Sequence, residues 1–427
     1  MDTPFLDPPS HLSVTAVLNY CKFKILRPYL RLLTATGLRS LAVDQVESCT
    51  LWYILGLFYT IQVIILMCIG YVLQYMACFR RDRGFCYKIL NTNEPLLKSM
   101  EQDVGQLNSE KQYEQICHGS VIFSYIIPSV LHLCAYLFGV YTFRSSENDQ
   151  LPSLMERVFL ASSYLADGFL SQKRIVKLLW IFVALGIVWM LLSFMSVNFM
   201  MFDGTILFRW LENRSKAVIM TMKIMLIVGT LWHDIIQATV ISSYCLQAQL
   251  LTSYLHFLRA KLLQHPIQSI EWMREISEFK KLLKYLNENL STPACIFMFI
   301  NISWALSGTL WLLGYDRIDV QTVPISVISI LNVSLWWTLI LAPFIQAARL
   351  TSACRLIKTV GHEVRARPFV HQGTPGSELD TILLYASSLD MSATLFKIPI
   401  TERTLAFGIT FLAVAVLVIG QCHYLTA

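Results

Sequence analysis

Charge is scarce in this sequence. Asp, Glu, Lys and Arg make up only 15% of its 427 residues, while 55% are hydrophobic and ten are tryptophan. An ordinary soluble domain has about 25% charged and about 45–50% apolar residues. So little charge cannot cover so much apolar surface in water. The composition therefore excludes a soluble fold and predicts a protein whose main solvent is lipid.

Motifs for metal, redox or catalytic chemistry are lacking as well. The sequence has no C-x-x-C motif and no His/Cys cluster, and most of its 11 cysteines lie inside apolar runs. Nowhere do a nucleophile, a base and an orienting residue occur at a recognisable spacing. We therefore expect no enzyme, no cofactor and no metal. Cys86 and Cys117 share one loop and either form a disulfide or remain two free thiols.

The basic residues show no nucleic-acid pattern and the N-terminus shows no signal-peptide pattern. The net charge of +6 is modest, and Lys and Arg are scattered without aromatic interleaving. Residues 1–48 carry acids, prolines and basic residues before the first long apolar run. We therefore expect no nucleic-acid partner and no cleavable signal peptide.

Long apolar runs dominate the chain instead. A membrane-spanning helix needs about 20 mostly apolar residues. The stretches that qualify lie at about 49–79, 118–144, 174–203, 216–258, 293–315, 324–350 and 404–422. None shows the alternation of an outer-membrane barrel strand. The sequence thus predicts an all-α polytopic membrane protein with seven transmembrane helices.

The distribution of Lys and Arg predicts the orientation. Most of the 34 basic residues fall in segments that are cytoplasmic if the N-terminus is inside. The 80–117 loop does not fit this pattern, because it is an outer loop with Arg80, Arg81 and Arg83 near the membrane. The sequon at Asn213 falls in an outer loop under this assignment and is a candidate glycosylation site. We predict a cytoplasmic N-terminus and an extracellular C-terminus, opposite to G-protein-coupled receptors.

The spans and loops predict six parts. They are a cytoplasmic segment at 1–48, spans one to four at 49–258, cytoplasmic helices at 259–292, spans five and six at 293–350, a cytoplasmic loop with a short helix at 351–403, and the last span with an extracellular tail at 404–427. The 216–258 run would form a helix of about 65 Å, twice the hydrocarbon thickness, so it continues into the cytoplasm. The cytoplasmic helices either anchor several subunits together or pack only on their own chain.

The last span, 404–422, has no charge and many small or β-branched residues, which suits close packing of several copies. One stripe along it holds Thr410, Val414, Leu417, Val418 and Gln421. Around a four-fold axis, Val418 would form a hydrophobic ring and Gln421 a polar one. Such rings gate by dewetting and tolerate hydrated cations. The alternative is an ordinary lipid-facing helix.

This arrangement resembles the animal gustatory-receptor family, the insect-type chemoreceptor channels, which include nematode relatives linked to light or peroxide sensing. The resemblance covers the chain from about Ser48 to Gln421. Its most specific part is the run Asp390 to Leu405, which resembles the family's approach to the pore helix. Gln421 stands where the family has Gln, whereas Val414-Ala415 replaces its Thr-Tyr and Cys422 its Phe.

The resemblance implies a homotetrameric, ligand-gated, non-selective cation channel in the plasma membrane of sensory cells. The last helices would line the pore, with Val418 and Gln421 at its constriction, and the cytoplasmic helices would form an intersubunit anchor. Implied partners are a small-molecule stimulus, permeant cations, the lipid bilayer, and further copies of this chain or related receptors. Sugar, bitter compound, gas, peroxide and light all remain open as the stimulus, and the ion selectivity remains open too.

Aromatic and polar residues of spans two to six are candidates for the stimulus site, because small-molecule pockets combine aromatic walls with a few polar groups. These candidates are Tyr125, His132, Trp189, Asn198, Trp232, His233, Asp234, Gln237, Trp304, Trp311, Asn332, Trp336 and Trp337. His233 and Asp234 stand out, because ionisable groups near mid-membrane face a cavity or a partner. A stimulus or gating role and a structural role are both open for this pair.

Two other classes compete with the channel. A secondary transporter would carry an internal repeat and paired broken helices, and the two halves of the sequence show neither. A seven-helix receptor without intrinsic channel activity has no motif that favours it.

Overall fold

The computed structural model describes most of the chain. The described residues are 14–40, 50–81, 84–85, 87–89, 113–115, 121–145, 150–163, 168–203, 215–266, 268–313, 323–366 and 371–425. Cys86, Cys117 and Asn213 lie outside them.

Helices make up nearly all of this structure. They are α1 Val14–Cys21, α2 Arg27–Ala35, α3 Thr50–Met76, α4 Ile127–Ser145, α5 Gln150–Ser163, α6 Gly168–Asp203, α7 Lys216–Gln264, α8 Ser269–Tyr285, α9 Ser291–Leu313, α10 Val323–Arg365, α11 Gly376–Ser388 and α12 Glu402–Leu425. Short π-helical segments at Lys22–Leu26, Ile122–Ile126 and Leu286–Leu290 precede α2, α4 and α9. The third of them joins α8 to α9, so the predicted cytoplasmic helix and fifth span run on as one helix.

Strands occur only as short antiparallel pairs in the part of the chain that the structure describes. They are β1 Phe79–Arg80 with β2 Gly84–Phe85, β3 Tyr87–Ile89 with β4 Tyr113–Gln115, and β5 Thr394–Leu395 with β6 Ile398–Pro399. The first pair follows α3 directly, and the third leads into α12.

Among the described residues, six stretches are long and apolar enough to cross a membrane. They are Ile54–Met76, Ile122–Ser145, Gln172–Phe199, Lys216–Gln264, Ser269–Leu310 and Val327–Arg365. The all-α, multi-span class is thereby confirmed, and each stretch overlaps one of the first six predicted spans. The seventh predicted span forms helix α12, whose membrane crossing stays a prediction, as does the orientation of the termini.

Helix α7 is the central element. Its 49 residues extend for about 73 Å, and its buried face includes Tyr244 and Leu255 at successive levels. At its C-terminal end Arg259 donates to both carboxylate oxygens of Glu363 on α10, at 2.7 and 2.8 Å. Charge therefore concentrates at the end of α7 that the sequence places outside the hydrocarbon.

Two amphipathic segments lie outside the predicted spans and pack on the bundle. In α5, Met155, Val158 and Phe159 are buried in the main core, and α5 packs along α7. In the N-terminal segment, the Tyr29 hydroxyl lies 2.5 Å from Ser243 Oγ of α7. Both segments are too short and too mixed in polarity to register as long apolar runs.

Helices α3 and α7 cross at two glycines. A Cβ placed on Gly229 would lie 3.0 Å from Cα of Gly70, and one placed on Gly70 would lie 2.8 Å from the ring of His233. Small residues let helix backbones approach closely in a membrane. The crossing therefore depends on the absence of side chains there.

We expect Gly229→Val to force α3 away from α7 and to lower the free energy of unfolding by about 1–3 kcal/mol, because overpacking displaces the neighbouring backbone. Thermal unfolding in detergent measures the effect. Gly186→Val on α6 is the matched control, since a Cβ there meets nothing within 4 Å and the change in helix propensity is the same. Equal effects of the two variants would contradict the close crossing.

Candidate functional site

One cavity gathers five of the predicted stimulus residues. We call it the histidine cavity, after His132 of α4 and His233 of α7. Its volume is about 30 Å³, enough for one or a few water-sized groups. Its lining comprises Tyr71, Gln74, Phe79, Arg80, Arg81, Ser124, Tyr125, Pro128, Ser129, His132, Thr230, His233, Asp234 and Trp304.

Hydrogen bonds fix the orientation of the two histidine rings and the protonated nitrogen of His233. His233 Nε2 lies 3.1 Å from the Met67 carbonyl, which can only accept, so this contact assigns a proton to Nε2. His233 Nδ1 then accepts from Gln74 Nε2 at 3.4 Å. The Tyr71 ring stacks on His233 with centroids 4.3 Å apart, and its hydroxyl lies 2.7 Å from His132 Nδ1.

The other ring nitrogen of His132, Nε2, makes no hydrogen bond to the described residues although it is buried. A buried polar atom without a partner costs about 1–3 kcal/mol. The cavity therefore offers an unsatisfied polar group to a small polar molecule.

A second group, the Arg81 cluster, is formed by Arg81, Ser193, Asp234, Asn332 and Trp336, and its ion pair is part of the cavity lining. The Arg81 side chain is only 4% exposed and the Asp234 side chain 3%. Arg81 Nη2 donates to Asp234 Oδ2, and Nε lies 3.3 Å from Oδ1. The guanidinium carbon lies 4.8 Å from the ring centroid of Trp336. The buried carboxylate is thus matched by one buried cation.

The remaining stimulus candidates divide between this cluster and other places. Gln237 donates to Asp234 Oδ1 at 3.3 Å, and Trp189 lies edge-on to Trp336. Trp337 Nε1 donates to Thr309 Oγ1 at 3.3 Å. Trp232 is half-buried outside both groups, and half-buried Asn198 donates to the Phe194 carbonyl of its own helix. The side chain of Trp311 lies outside the part that the structure describes.

The last helix is almost unburied within one chain. Val414 is 51% exposed, Leu417 63% and Val418 51%, and Thr410 and Gln421 are exposed as well. Phe407 and Phe411, one turn apart, are still more exposed and stack on each other. Helix α12 touches its own chain along α9 and α10. Most of its apolar surface is therefore free for lipid or for other copies.

The β5–β6 hairpin holds the start of α12. The two turn residues, Phe396 and Lys397, have φ of 54° and 61°, as a two-residue type I′ turn requires. Asn287 Nδ2 donates to the Ser392 carbonyl at 2.9 Å, and Asn287 Oδ1 accepts from the Thr394 N–H at 3.0 Å. Thr351 Oγ1 of α10 accepts from the Ala393 N–H at 3.0 Å. The hairpin is thus tied to the helices on either side of it.

A solved receptor has the same architecture. The insect olfactory receptor OR5 from Machilis hrabei, in complex with eugenol, superposes with a TM-score of 0.58 at 9% identity, covering 94% of this chain and 100% of the receptor. No protein-family model and no curated protein sequence matches this chain. The likeness assigns the fold: this is a multi-pass, all-α membrane protein with the fold of insect chemoreceptors. The narrower resemblance to gustatory receptors stays a prediction.

Sequence reasoning missed the partner of Asp234. Asp234 was selected because a charge near mid-membrane is costly unless it faces a cavity or a partner. Arg81 was visible only as an excess basic residue in a loop on the wrong side for the positive-inside pattern. Pairing with Asp234 accounts for Arg81's part in that excess, because its charge is neutralised inside the bundle.

We expect Arg81→Met and Asp234→Asn each to lower the free energy of unfolding by about 3–5 kcal/mol, since each leaves its partner buried without a counter-charge. The double variant should cost clearly less than the sum of the two. Unfolding scans of the four proteins in detergent give the coupling energy. The exposed pair Lys358 and Asp390, at 3.1 Å, is the control, and its coupling should be near zero. Additive losses at Arg81 and Asp234 would contradict the pairing.

Proposed function

We propose that this protein is a chemosensory receptor that acts as a homotetrameric, ligand-gated, non-selective cation channel of the plasma membrane. Helix α12 lines the pore, and a small molecule that binds at the histidine cavity opens it. The N-terminus is cytoplasmic and the C-terminus extracellular. The insect chemoreceptor fold supports a receptor channel in general. The subunit number, the ion selectivity, the pore lining, the stimulus site and the orientation are specific to this proposal.

The exposure of α12 is the main observation that supports a channel. A helix without charge between Thr404 and Gln421 that leaves most of its apolar face uncovered needs either lipid or copies of itself. A purely lipid-facing helix has no need for a stripe that ends in an amide. Four copies around an axis would bury Val414 and Val418 against each other and place Gln421 as a polar ring beyond them.

The histidine cavity supports a polar stimulus. Its unsatisfied atom, His132 Nε2, and its hydroxyl and amide groups provide hydrogen bonds, while Trp304 and Tyr125 provide aromatic walls. Its volume of about 30 Å³ admits only a small molecule, or the polar end of a larger one, without rearrangement. An ion or substrate pathway for a transporter would need discontinuous helices at mid-membrane, and the described spans are continuous there.

Whole-cell recording across a panel of small molecules and light tests the channel. We expect a stimulus-gated cation current and, in Gln421→Glu, an increase in divalent over monovalent permeability of at least about twofold, because four carboxylates would surround the axis. Ile409→Ala is the control: Ile409 lies about two and a half turns before Val418, on the opposite face of α12, and is also exposed. Unchanged permeability in Gln421→Glu would exclude α12 as the pore lining at that level.

Substitution in the histidine cavity tests the stimulus site. His132→Phe keeps the ring volume but removes both ring nitrogens, so we expect the half-maximal concentration of a polar agonist from the panel to rise about 5- to 30-fold. Asn198→Ala, whose amide bonds only its own helix, should leave the dose response unchanged. The same dose response in His132→Phe and wild type would move the stimulus site elsewhere without affecting the pore assignment.

A further inference from the structure

The Arg81 cluster contains the groups with which proteins bind a guanidinium ion. The Asp234 carboxylate faces the Nε and Nη2 edge of Arg81, and Ser193 Oγ accepts from Nη2 at 3.0 Å. Asn332 Oδ1 lies 3.4 Å from Nη1, and the guanidinium carbon lies over the Trp336 ring, 4.8 Å from its centroid. A carboxylate in line with the guanidinium fork and an aromatic face are the features that favour Arg over a simple ammonium.

The binding groups come from the bundle, whereas the guanidinium comes from outside it. Ser193 lies on α6, Asp234 on α7, and Asn332 and Trp336 on α10. Arg81 lies in none of these helices but directly follows strand β1, at the turn that leads to β2. Its side chain therefore enters the space between the three helices as a ligand would.

The carboxylate accepts hydrogen bonds from two residues besides Arg81. Gln237 Nε2 donates to Asp234 Oδ1 at 3.3 Å, and the Ser193 hydroxyl donates to Oδ2 at 2.5 Å. The turn also has an anchor that does not involve the guanidinium, because Asn332 Nδ2 donates to the Arg81 backbone carbonyl at 2.8 Å. Truncating the Arg81 side chain should therefore leave an open, preorganised site rather than a displaced turn.

We infer that α6, α7 and α10 form an alkylguanidinium-binding site, which the chain's own Arg81 occupies as a tethered ligand. A group held on a short tether has an effective concentration in the millimolar range or above. Free guanidinium compounds at lower concentration therefore do not displace Arg81 from the intact protein. When the side chain is cut back to Cβ, the site accepts the fragment that was removed, which is N-ethylguanidinium.

Thermal unfolding of the purified full chain in detergent tests this inference without reference to channel current. We expect Arg81→Ala to unfold at least about 4 °C below wild type, and millimolar N-ethylguanidinium to restore at least half of that loss in a saturable way. N-ethylurea, its uncharged analogue of the same shape, should have no effect. N-ethylguanidinium should not raise the unfolding temperature of wild type, because its site is filled. It should not raise that of Arg81→Ala/Asp234→Asn either, because that site lacks the carboxylate.

Three outcomes of these unfolding scans would overturn the inference: no rise in the unfolding temperature of Arg81→Ala with N-ethylguanidinium, an equal rise with N-ethylurea, or an equal rise in the double variant. Each would reduce Arg81 and Asp234 to a structural ion pair. If Arg81→Ala cannot be isolated alone, it is extracted from membranes with N-ethylguanidinium or N-ethylurea present throughout. A monodisperse protein recovered only with the cation supports the site, and failure in both overturns it. Failure of the channel proposal would leave every one of these results unchanged.

Discussion

Burying the charge of Asp234 is the constraint around which this end of the bundle is built. A carboxylate among apolar helices is tolerated only if a cation and several donors surround it. The structure meets that demand with Arg81, Ser193 and Gln237, drawn from a loop, from α6 and from α7 itself. Satisfying one charge therefore brings Arg81 together with α6 and α7, while Asn332 and Trp336 of α10 contact the same guanidinium.

Two adjacent residues of α7 face different surroundings. His233 and Asp234 are neighbours in sequence, and a helix rotates about 100° between them. His233 consequently meets Tyr71 and the Met67 carbonyl of α3, while Asp234 meets the Arg81 cluster. The hydrogen-bonded histidines and the buried ion pair thus lie on different sides of α7 and still meet at one cavity, because Arg81 and Asp234 belong to its lining.

The sequence predicted the elements whose signal is local. Six membrane-length helices follow from hydropathy alone, and the reach of α7 follows from the length of its apolar run. The amphipathic α5 and the N-terminal helices were not predicted, because a short segment of mixed polarity is buried only when a neighbour such as α7 is in place. Arg81 escaped for a stronger reason: it lies 153 residues from Asp234, and no periodicity connects residues across a loop and three helices. Asp234 could be singled out from its cost alone, but its partner could not.

Helix α10 connects places that otherwise have little in common. Asn332 and Trp336 belong to the Arg81 cluster, and Thr351, about 28 Å further along the same helix, holds the hairpin that begins α12. Pro343 lies between them and has no N–H to donate, so it is the point where α10 bends at least cost. A rigid shift of one half of α10 changes the contacts at that end only. A rigid shift of the whole helix changes the contacts at both ends. Free-energy coupling is reciprocal, so if α10 moves as one body, whatever stabilises one position of α12 also changes how tightly the far end of α10 holds Arg81.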